Sequence, residues 1–133
     1  MYKGSCLCGK VLYEIKGKVH DIVFCHCSLC RKAQGSAFAT NGNVKKEDFT
    51  FIQGEDNLTQ YESPPGHSKF FCKTCGSPIM SLNGKTPEAI RIRLGSIESD
   101  ILERPGAHIF TASKANWEII TDDLPQYAEY KTR

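Results

Sequence analysis

Seven cysteines in a chain of 133 residues constrain this sequence more than any other feature. They fall at Cys6 and Cys8, at Cys25, Cys27 and Cys30, and at Cys72 and Cys75. An odd number excludes complete disulfide pairing within the chain. A bridge inside Cys6-Leu7-Cys8 would also strain its short loop. Closely spaced cysteines in a reducing compartment serve metal binding or redox chemistry more often than cross-linking.

The two outer pairs read as zinc knuckles. Cys6-Leu7-Cys8 is followed by Gly9 and Cys72-Lys73-Thr74-Cys75 by Gly76. A glycine there can take positive φ and turn backbone N–H groups towards the sulfurs. Two such knuckles complete a tetrahedral four-thiolate site. Its net charge of −2 calls for hydrogen bonds and a nearby cation such as Lys73.

The middle cluster is Cys25-His26-Cys27-Ser28-Leu29-Cys30. On an extended segment Cys25 and Cys27 face one way and His26 the other, which makes His26 structural. A short helix over Ser28 to Gln34, with Ser28 as its N-cap, would swing Cys30 back towards the other two sulfurs. Three thiolates leave a tetrahedral ion one open position, the mark of a catalytic rather than a structural zinc. A Cys27–Cys30 redox pair and an iron–sulfur cluster remain open alternatives for this cluster. Haem attachment does not, because Arg31 stands where that motif needs histidine.

Elsewhere the chain reads as short strands: Val11 to Lys16, Phe49 to Ile52, Lys69 to Phe71 running into Cys72, and Ile90 to Gly95. The last carries Arg91 and Arg93 on one face. Glu62 to Gly66 is a loop, and Pro87 to Ala89 is a second candidate helical turn. Many short strands with Gly and Pro turns indicate an all-β sandwich or barrel.

Charge and hydropathy exclude whole classes of function. Seventeen Lys and Arg against 15 Asp and Glu give a net charge of +2, too even to predict a nucleic-acid partner. No apolar run is long enough for a membrane span. Met1 to Cys6 lacks a secretory apolar region, so a cytoplasmic location is expected.

The cysteine order and its flanks resemble the glutathione-dependent formaldehyde-activating enzyme family, also called the CENP-V/GFA domain. The resemblance rests on Gly4 to Gly9, Cys25 to Lys32, Gly35 to Phe38, Phe71 to Pro78, Arg93-Leu94-Gly95 and His108 to Trp117. It implies one domain over residues 1–133, with a β-tent fold of short antiparallel strands, zinc knuckles and one or two helical turns. It also implies two zinc ions per chain. Cys6, Cys8, Cys72 and Cys75 would hold a structural one, and Cys25, Cys27 and Cys30 one at the catalytic site.

The activity implied is that of a carbon–sulfur lyase joining glutathione and formaldehyde as S-hydroxymethylglutathione, or handling a related thiol adduct. The alternative is a non-catalytic zinc module with a macromolecular partner. Glutathione is anionic, which makes Arg31, Lys32, Arg91, Arg93 and Lys114 candidates by charge, though each is expected on the solvated surface. None is assigned to it. Trp117 and Phe110 are expected in the core.

Overall fold

The computed structural model describes residues 1–131. In chain order the strands are β1 (Tyr2–Ser5), β2 (Leu12–Ile15), β3 (His20–Cys25), β4 (Ala39–Lys45), β5 (Phe49–Gln53), β6 (Leu58–Glu62), β7 (His67–Cys72), β8 (Pro78–Asn83), β9 (Ala89–Arg93) and β10 (Ala107–Ile109). Among the described residues one α-helix, α1 (Ser28–Gln34), follows β3. The fold is all-β, as the sequence indicates.

Strand pairing sorts these elements into two sheets. A three-stranded sheet has the order β1-β2-β5 and a seven-stranded sheet the order β10-β3-β4-β9-β8-β7-β6. All neighbours run antiparallel except β10, which lies parallel to β3 and so departs from the expected antiparallel pattern. Parallel neighbours need a long crossover, and the chain between β3 and β10 supplies one.

The main core lies between the sheets. Tyr13 and Ile15 of β2, with Val11 just before it, pack with Ile22, Val44, Ile79, Ile90 and Ile92 of the larger sheet. Each of these strands alternates, so burying Ile90 and Ile92 sends Arg91 and Arg93 to the opposite face. A smaller core of Val23, Cys25, Cys30, Ala39, Ala107 and Ile109 sits on that opposite face near the end of β3.

Local expectations fare unevenly. Strands cover the cores of all four expected segments, and α1 spans Ser28–Gln34 as expected. The N-cap, however, is Cys27 rather than Ser28: its sulfur accepts from the Cys30 N–H at 3.2 Å. A sulfur can accept here as a hydroxyl oxygen does, so one of the three clustered cysteines also starts the helix. Pro87 to Ala89 is not helical. The Ala89 N–H bonds Thr86 O in a tight turn, and Ala89 then opens β9 opposite Lys45.

Candidate metal centres and the adjoining cleft

Glycine geometry builds the first cluster. Gly9 and Gly76 take φ of +80° and +79°, the left-handed region that the knuckle turn needs. The Val11 N–H consequently reaches Cys6 Sγ at 3.3 Å, and the Asn57 side-chain amide reaches Cys72 Sγ at 3.2 Å. Sγ of Cys75 lies 3.3 Å from the Ser77 hydroxyl, which holds that thiol down to about 5. Sulfur charge is therefore offset by these donors, whereas Lys73 is an exposed side chain.

Sulfur spacing tests the fit to a metal. Tetrahedral zinc with zinc–sulfur bonds of about 2.3 Å sets its sulfurs about 3.8 Å apart. Cys6 and Cys8 Sγ are 3.6 Å apart, and Cys8 and Cys72 Sγ 3.8 Å. A disulfide would need about 2.05 Å, and all seven cysteines are free. Cys6, Cys8, Cys72 and Cys75 place their four sulfurs within 4.8 Å of one another. The donor set suits zinc.

The second cluster gathers Cys25, Cys27 and Cys30, whose sulfurs likewise lie within 4.8 Å. The end of β3 supplies Cys25, and the start of α1 returns Cys30 beside it. Thiol hydrogen bonds from Cys25 and Cys30, and the N–H groups of Cys30 and Leu29, push the Cys27 pKa far below the usual thiol range. Cys25 moves the other way, because it gives up hydrogen bonds to its neighbours and is buried. Both clusters could bind zinc.

A cleft of about 250 Å³ opens beside this second cluster, and Cys25, Cys27 and Cys30 line it. Strand register explains its polar floor. Ala39 lies opposite Cys25, Asn41 opposite both Val23 and Arg93, Asn43 opposite Arg91, and Ser81 opposite Arg91 and Lys69. Opposed residues share a face. The face that carries Cys25 therefore also carries Asn41, Arg93, Arg91, Ser81 and Lys69.

Arg93 corrects the surface reading, since only 5% of it is exposed. One guanidinium nitrogen donates to Ser81 Oγ at 3.2 Å and to Arg91 O at 3.4 Å. Burial lowers its pKa, and the Cys30 sulfur opposes that. Arginine nevertheless keeps its charge in proteins. Asn41 is also buried, and its Oδ1 has no partner among the described residues. Arg91 lines the cleft, but Arg31, Lys32 and Lys114 do not. Lys114 Nζ donates to the carbonyls of Ala115 and Glu118.

Sequence reasoning missed Asn41, Ser81 and Lys69. The one available signal was the Arg91/Arg93 alternation, which marks a polar face without naming its neighbours. Trp117 is a further correction: 65% of it is exposed, so it lies outside the core. Phe110 is half-buried against the Tyr130 ring at the cleft edge.

Behind the cysteines runs a polar chain. His26 is fully buried, and its Nε2 lies 2.8 Å from His108 Nδ1. His108 Nε2 in turn reaches Asp122 Oδ2 at 3.0 Å. His26 thus faces away from the sulfurs, as its place between Cys25 and Cys27 suggests, although its Nδ1 has no partner among the described residues.

Comparison with known proteins agrees with this geometry. Residues 1–113 match the profile of the family described as glutathione-dependent formaldehyde-activating enzyme. A Halomonas elongata protein, provisionally named for the same activity, is 28% identical over 127 residues, covering 88% of this chain and 79% of its own. A Schizosaccharomyces pombe protein named an uncharacterized lyase is 28% identical over 88 residues, or 65% of this chain and 62% of that relative. A crystal structure of a Rhodobacter sphaeroides protein superposes with a TM-score of 0.62 at 28% identity, over 74% of this chain and 89% of that one. The chain belongs to the glutathione-dependent formaldehyde-activating enzyme family.

Proposed function

We propose that this chain is a carbon–sulfur lyase-type enzyme that makes and breaks the adduct of glutathione, or a related carboxylate-bearing thiol, with an aldehyde. The observation that carries this reading is the three-cysteine cluster opening onto a cleft floored by buried Arg93. Cys6, Cys8, Cys72 and Cys75 hold a structural zinc in this reading, and Cys25, Cys27 and Cys30 a catalytic one. Zinc with three protein ligands supplies an open position that favours a deprotonated thiol or polarises a carbonyl.

The chain's own groups do the rest. Arg93 provides fixed positive charge beside the cysteines, where a low local dielectric strengthens it. Arg91 and Lys69 offer cations to carboxylates further along the cleft. Asn41 Oδ1 offers an acceptor to an amine or amide N–H. Pro64, Phe110 and Tyr130 wall the opening and limit water around the reacting sulfur.

Exchange of formaldehyde between solution and S-hydroxymethylglutathione, followed by magnetisation-transfer NMR, tests the reading. Zinc-loaded protein should accelerate exchange well above the spontaneous rate, and Cys30→Ser should remove the acceleration. An equal rate with and without protein, for glutathione and for other carboxylate-bearing thiols, contradicts it.

A further inference from the structure

The cleft does not stop at the cysteines. A second cavity, of about 390 Å³, lies along the same face of the larger sheet, and Lys69 and Arg93 line both. Its remaining walls include Ala33 and Gln34 of α1, Tyr61, Phe71 and Pro78. Register sets its walls beside the first cavity: Tyr61 lies opposite Lys69, and Phe71 opposite Pro78, while Phe70 and Met80 also line it. On α1, Cys30, Ala33 and Gln34 stand at i, i+3 and i+4, so one side of the helix runs from a cluster sulfur to the wall of the second cavity. The first cavity sets the polar groups of Asn41, Ser81 and Arg91 beside apolar Leu29, Ile109 and Phe110. The second is aromatic and aliphatic.

A one-carbon adduct makes no use of the second cavity. Its walls would stay wet or empty, while an apolar group placed there would bury surface that is otherwise hydrated. We propose that this cavity receives an apolar substituent on the sulfur-bound carbon, so that the preferred adducts join a carboxylate-bearing thiol to an aldehyde larger than formaldehyde. The proposal rests on the thiol-adduct reading of the cysteine cluster. In the forming direction the thiol gives up its proton and its sulfur bonds the carbonyl carbon. The carbonyl π pair moves to oxygen, which takes up a proton. The reverse step returns the same atoms, and nothing is oxidised or reduced.

Calorimetry of the zinc-loaded protein with S-hexylglutathione and S-methylglutathione separates the cavity from the chemistry, because neither thioether can react. Each buried methylene strengthens binding about fourfold, so the hexyl compound should bind at least ~10-fold more tightly. Ala33 is exposed at the cavity wall, so Ala33→Trp should fill the space without disturbing the core and bring the affinity ratio to about one. Equal or undetectable binding of both thioethers overturns the proposal, as does a hexyl preference that survives Ala33→Trp. A hexyl preference lost in Ala33→Trp, with no catalysed exchange of any aldehyde, supports the cavity and overturns the lyase reading. Equal thioether binding with catalysed formaldehyde exchange does the reverse.

Discussion

His26 Nε2 lies 2.8 Å from His108 Nδ1, a hydrogen bond between two buried rings. His108 Nε2 lies 3.0 Å from the Asp122 carboxylate, so both ring nitrogens of His108 are engaged. The chain ties the segment between Cys25 and Cys27 to β10 and to the loop carrying Asp122, and the His26 N–H to Ile109 O bond reinforces it.

Removing the middle of that chain should be costly. His108→Ala leaves buried His26 Nε2 unpaired, a loss of about 1–3 kcal/mol before any cavity term. Urea denaturation of the zinc-loaded protein checks this. Stability equal to wild type would mean that the ring pair does not contribute.

Acid should act through the far end of the same chain. The hydrogen bond from His108 holds the Asp122 carboxyl below its ordinary value of 3.8. A carboxyl with a lowered folded pKa stabilises the fold above its unfolded value and loses that contribution as pH falls through the folded one. The gap in melting temperature between wild type and Asp122→Asn should therefore be present near neutrality and close as the pH drops below about 4. A gap that widens in acid has the wrong sign.

The two cysteine clusters should fail differently. Cys72 is fully buried and Cys6 nearly so, within the main core. Cys72→Ser or Cys75→Ser should cripple folding, since structural zinc contributes roughly 10 kcal/mol or more in small domains. Cys30→Ser should leave a folded chain with one zinc fewer. Circular dichroism with metal analysis checks both, and the opposite pattern would exchange the structural and catalytic assignments.

Arg93 should discriminate among thiols. Arg93→Met should weaken glutathione binding by about 2 kcal/mol or more, as loss of a buried charge partner does, yet affect cysteamine, which has no carboxylate, far less. Arg93→Lys should restore little, because an ammonium cannot reproduce the two-pronged guanidinium geometry. Equal losses for both thiols would make Arg93 a partner of the cysteines alone.

The cysteine clusters were legible in the sequence because their signal is local. Gly9 and Gly76 announce the knuckle turns, and α1 appears where the Cys27-to-Cys30 spacing needs it. The cleft was not legible, because it is assembled by register between distant strands. Asn41 meets Arg93 only once β4 pairs with β9, and Lys69 joins them through β8. Arg93 and Trp117 were misplaced for related reasons. A charged side chain was expected outside and a large aromatic inside. Here nearby sulfurs offset the burial of Arg93, while Trp117 lies in a segment beyond β10 that leaves it exposed.

Cobalt in place of zinc tests the central claim most directly, namely that Cys25, Cys27 and Cys30 hold a metal with a position open to a thiol. Titrating glutathione into the cobalt protein should intensify sulfur-to-metal charge-transfer absorption as a fourth sulfur binds. The change should weaken at lower pH, because a proton must leave. S-methylglutathione should produce far less, and Cys30→Ser should produce none. Identical spectra with and without glutathione, in protein that carries two metal ions, would contradict the account.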